Sequence, residues 1–91
     1  METNIINVKY EENFAPTKFG GRPYSYLTSI KLKVGDLVIA PTATGDKIAK
    51  VSEINVPEDK VRLIKPYLKT IMQKINTEKY LQSNIILAEV A

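Results

Sequence analysis

Lys18, Phe19, Arg22, Tyr24 and Tyr26 fall within residues 18–26, and Lys47 and Lys50 sit on a separate apolar-periodic stretch. Aromatic rings beside cations are the parts of a single-strand nucleic-acid platform: rings stack on bases, and cations neutralise phosphates. Lys65 and Lys69 add to the set, because the positive charge is concentrated late in the chain. Residues 1–59 carry a net −1, whereas residues 60–91 carry +4 through Lys60, Arg62, Lys65, Lys69, Lys74 and Lys79 against Glu78 and Glu89. A plain reading competes: small β domains need aromatic residues for packing, and lysines populate solvated faces.

Little other chemistry is open to this chain. It has 91 residues with no histidine and no cysteine. Thiol nucleophiles, the serine–histidine–aspartate triad, zinc ribbons and haem ligation through those residues are thereby excluded. Asp36 and Asp46 could offer oxygen ligands to a divalent ion, but a carboxylate following a turn glycine more often braces the turn. Glu11 and Glu12 are consecutive, so on an extended chain they point to opposite sides. Gly20-Gly21-Arg22 lacks the strand-to-helix context of a phosphate loop. The expectation is a protein with no catalytic residues, no metal and no cofactor.

The elements that position these residues read mainly as strands. Ile6, Val8 and Tyr10 alternate with Asn7 and Lys9, a period-2 pattern. Glu11–Pro23 shifts to charge, glycine and proline and reads as a long loop, pinned by Phe14 and Phe19. Tyr24, Tyr26 and Thr28 then share one face of a second strand. Leu32–Pro41 contains a turn with Gly35 at the position that requires positive φ and Asp36 beside it, opening into an apolar strand that Pro41 closes. A polar hairpin loop at 42–46 leads to a return strand over 47–56. Ala49 and Val51 share one parity there while Ile54 and Val56 share the other, which predicts a bulge near Ser52-Glu53.

Residues 57–66 hold at most a short helix or strand, since Pro57 and Pro66 break both. Ile71–Ile75 fits a final strand, although Leu68, Ile71, Met72 and Ile75 also satisfy a helical spacing. Thr77 is the expected cap of a short C-terminal helix. Residues 85–91 are apolar, read as the end of that helix or as a further strand, and would favour a second copy or a protein partner. The fold expected is a mainly β, small five-stranded SH3-like or OB-like barrel with a C-terminal helix, divided into a barrel at 1–76 and a helix or tail at 77–91.

The N-terminus has no basic, apolar secretory pattern, and no run approaches the roughly 20 residues that span a bilayer. A cytoplasmic setting without membrane contact is expected. Two partner classes stay open: DNA or RNA on the basic, tyrosine-containing surface, or self-association or a docked protein through residues 85–91.

Tyr24-Ser25-Tyr26, the Val34-Gly35-Asp36 turn, the strand ending at Pro41 and the return strand Lys47–Ile54 resemble small proteins of unassigned function encoded by phages and prophages of Gram-positive bacteria; Lys74-Ile75 and Tyr80 fit as well. Over about residues 6–54 the chain also resembles the N-terminal DNA-binding domain of the primosomal replication-restart helicase, a small β domain that receives the 3′ end of a DNA strand. That family tends to place aspartate where this sequence has Ser25, and glycine where it has Ala43, both at positions of the terminal-nucleotide pocket. The resemblance implies the small barrel much more than any activity.

Overall fold

The computed structural model describes residues 3–12, 15–76 and 78–80. The chain runs through β1 (Asn4–Glu12), β2 (Ala15–Phe19), β3 (Tyr24–Thr28), β4 (Leu37–Thr42), β5 (Gly45–Glu53), β6 (Thr70–Ile71) and β7 (Gln73–Ile75). Short 3-10 turns occupy Glu58–Val61 and Lys65–Tyr67. β1 is the central strand, antiparallel to β3 through Ile6↔Tyr26 and to β5 through Val8↔Val51. β4 pairs antiparallel with β5.

The segment 70–75 nearly closes the sheet into a barrel. Its first half lies parallel to β3 and its second half antiparallel to β4, with Met72 breaking it between them. Ile6, Val8, Tyr26, Val38, Ala40, Ala49, Val51 and Ile71 fill the inside. A smaller cluster of Ile5, Val56 and Val61, joined by Leu27 and Leu68, packs outside β1 and β3. It explains why Ile5 and Leu27 are apolar on the parity that would otherwise face water.

The expected turn forms at Lys33–Asp36. Gly35 has φ +98°, and the Asp36 N–H donates to the Lys33 carbonyl at 3.1 Å. The buried Asp36 carboxylate accepts from the Lys33 N–H at 2.9 Å and lies 3.5 Å from the Lys74 ammonium. The turn hooks onto β5 through Gly35 N–H to Val51 O at 2.9 Å and Val51 N–H to Asp36 O at 2.8 Å. A Cβ on Gly35 would meet no atom within 4 Å, so Gly35→Ala isolates the backbone cost of a left-handed residue. The expected loss is about 1–2 kcal/mol, read as a lower denaturant midpoint at unchanged slope. An unchanged midpoint would contradict this account of the turn.

The expected bulge is also present. Asn7 opposes Glu53 while Val8 opposes Val51, which leaves Ser52 as the extra residue of β5. Its hydroxyl donates to the Asn7 carbonyl at 3.2 Å. The bulge bends the strand and lets the apolar parity change from Val51 to Ile54.

Several expectations are corrected. Glu11–Pro23 is not one long loop: β1 continues to Glu12 and β2 returns beside it, with Glu11 opposite Phe19. The sequence of this stretch, rich in charge, glycine and proline, lacks the apolar alternation that marks a half-buried strand. Phe14 lies outside the described residues. Pro41 does not end β4 but pairs with Asp46, and Thr42 opposes Gly45, leaving Ala43-Thr44 as the turn. Pro41 has no N–H, and the ladder to β7 stops at Ile39. At the helical turn 78–80 the Asn76 side-chain oxygen accepts from the Lys79 N–H at 3.0 Å, and Thr77, the expected cap, lies outside the described residues. The 85–91 segment lies outside the described residues.

Candidate nucleic-acid interface

The alternation of β3 sends Tyr24, Tyr26 and Thr28 toward the barrel axis, but at different depths. Thr28 and Tyr26 are buried, Tyr26 to 5% exposure, while Tyr24 at the strand's start stays 43% exposed. Tyr26 plugs the barrel end. Its hydroxyl donates to the Pro41 carbonyl at 2.9 Å and therefore accepts from the Tyr10 hydroxyl. Burial, reinforced by the Tyr10 hydroxyl, pushes Tyr26 far above the usual tyrosine range, so it acts there as a neutral donor.

Tyr10 was read from sequence only as a strand residue. The pairing of Val8 with Tyr24 sets Tyr10 diagonally across from Tyr24 on the same face. Their rings stack with centroids 4.7 Å apart and planes 19° from parallel. The Arg22 guanidinium carbon lies 6.0 Å from the Tyr24 centroid and the Lys47 ammonium 5.4 Å from that of Tyr10. Lys47 reaches Tyr10 because Ala49, small and directly opposite Tyr10, leaves the way clear.

The three tyrosines floor an open cleft of about 370 Å³. The β4–β5 turn at Thr42-Ala43 forms one side, and Ile64, Tyr67 and Lys69 form the other. None of the described lining residues is acidic. Tyr67 is the second residue that sequence reasoning missed; its offset from β3 depends on the 3-10 turn at 65–67, which no local pattern announces.

The register divides the remaining expected site residues. Lys50 opposes Lys9 on the sheet face opposite Ala49 and Tyr10, and its ammonium stands 5.9 Å from the Phe19 ring there. Lys18 is exposed on the hairpin. Lys65 is held by Glu58 at 2.6 Å, so its charge is largely spent locally. Lys69 joins the cleft. The Ser25 side chain turns to the other face and donates to Asn7 Oδ1 at 2.6 Å. Of the sequence-derived set, Tyr24, Tyr26 and Lys69 line the cleft together with Tyr10 and Tyr67, Arg22 and Lys47 stand over the Tyr24 and Tyr10 rings, and Phe19 with Lys50 lies apart from it. Asp36 serves the turn and Asp46 lies exposed on β5.

No family model, curated protein or solved structure matches this chain.

Proposed function

We propose that the protein is a non-enzymatic accessory protein of phage or prophage type that binds nucleic acid at the tyrosine cleft, in the cytoplasm. One observation carries the reading: the stacked Tyr10–Tyr24 pair, attended by Arg22 and Lys47, stands at the mouth of a cleft without acidic lining. Tyr10 packs partly against the core, while the 43% exposed Tyr24 ring accepts a base and the adjoining cations neutralise phosphate. Of the two positions flagged by resemblance to the primosomal helicase domain, Ala43 lines the same cleft, while the Ser25 hydroxyl is turned to Asn7. Among the described residues no helix is long and apolar enough to cross a membrane.

The test is fluorescence anisotropy with labelled single-stranded and duplex oligonucleotides over a salt series. Three phosphate-facing cations, Arg22, Lys47 and Lys69, give an expected log–log salt slope of roughly −2 for single strands. Absence of binding at low ionic strength, or binding indifferent to salt, would overturn the proposal.

A further inference from the structure

We infer that Tyr67 is a second stacking ring, so that the cleft holds two neighbouring unpaired bases of one strand, one on Tyr24 and one on Tyr67. The inference rests on the nucleic-acid reading above and assigns a residue which that reading does not use.

Tyr67 is 82% exposed yet lines the same cleft as Tyr10 and Tyr24. A ring so open contributes almost nothing to packing. Its backbone, by contrast, is firmly set. Pro66 restricts φ before it, the Tyr67 N–H donates to the Ile64 carbonyl at 2.9 Å, and the Leu68 N–H donates to the Lys65 carbonyl at 3.1 Å. The Lys65–Glu58 ion pair braces the turn from outside. Immediately after it, Leu68 packs on Ile5, Val56 and Val61, and the Lys69 carbonyl accepts from the Leu27 N–H at 2.9 Å. An exposed aromatic side chain on a fixed backbone loses little freedom when a ligand covers it.

Charge selects the occupant. Lys69 lines the cleft beside Tyr67, Arg22 and Lys47 stand over the Tyr24 and Tyr10 rings, and no described lining residue is acidic. An anionic chain bearing flat rings satisfies both walls at once, with bases on the tyrosines and phosphates between the cations. In a duplex the bases are stacked on one another and cannot reach either ring, so the ligand is single-stranded.

The experiment measures affinity for thymidine 5′-monophosphate and for oligothymidylates of up to about eight nucleotides with the whole protein and with Tyr67→Ala and Tyr67→Phe. In the unsubstituted protein, affinity should rise steeply once a second base is present. Tyr67→Ala should lower affinity for the longer ligands by roughly 5- to 150-fold while leaving the shortest unchanged, and Tyr67→Phe should restore it. Equal affinities for Tyr67→Ala and the unsubstituted protein at every length, or an equal loss at every length, would overturn the inference while the nucleic-acid reading stands. No binding by the unsubstituted protein at any length would overturn both. The side chain is exposed, so the substitution does not threaten folding.

Discussion

Ile71→Ala is expected to cost about 2–5 kcal/mol, the range for deleting a large aliphatic side chain from a packed interior. The side chain is fully buried in the main core. It belongs to the two-residue strand β6, which ties the closing segment to β3. The Thr28 hydroxyl also donates to the Ile71 carbonyl at 3.0 Å, so the position carries both packing and closure. A domain of this length has a total stability of about 5–14 kcal/mol. The loss should therefore lower the midpoint of thermal unfolding by roughly 10–30 °C. Calorimetry checks it, and a fall of only a few degrees would show that segment 70–75 does not hold the barrel shut. Met72→Ala is the internal control: its neighbouring side chain is exposed and should leave the midpoint nearly unchanged.

Tyr24→Ala should weaken single-strand binding by roughly 5- to 150-fold at all ligand lengths, the cost of removing one base-stacking ring. It also removes the stacking partner of Tyr10, so a stability loss of about 0.5–1.5 kcal/mol should accompany it. Binding measured well below the unfolding midpoint separates the two effects. Tyr24→Phe keeps the ring and should bind nearly as the natural protein does. If Tyr24→Ala binds normally while Lys47→Ala and Lys69→Ala do not, the surface is an electrostatic one and the rings have no part in it.

Much of the barrel was legible because its inner face is regular. Ile6, Val8, Tyr26, Val38, Ala40, Ala49 and Val51 obey a period of two. Gly35 marked its turn by a requirement few other residues meet, and the parity change after Val51 marked the bulge. The β1–β2 hairpin was illegible for the opposite reason: its stretch of charge, glycine and proline has no apolar alternation to read. The site was only partly legible, since neighbours in sequence need not share a face. Phe19 and Tyr24 lie close in the chain but on opposite sides of the sheet, whereas Tyr10 reaches Tyr24 through a strand offset that local composition does not encode. Lys65 and Lys69 looked alike, yet one meets Glu58 and the other an open cleft.

The order of strands has a consequence for synthesis. The platform of Tyr10, Tyr24 and Lys47 on β1, β3 and β5, with Arg22 just before β3, is complete by residue 53, whereas Tyr67, Lys69 and the closing strands follow it in the chain. During synthesis the far wall of the cleft and the strands that close the barrel therefore cannot form until residues 57–75 have been translated. Ligand competence and barrel closure depend on the same segment.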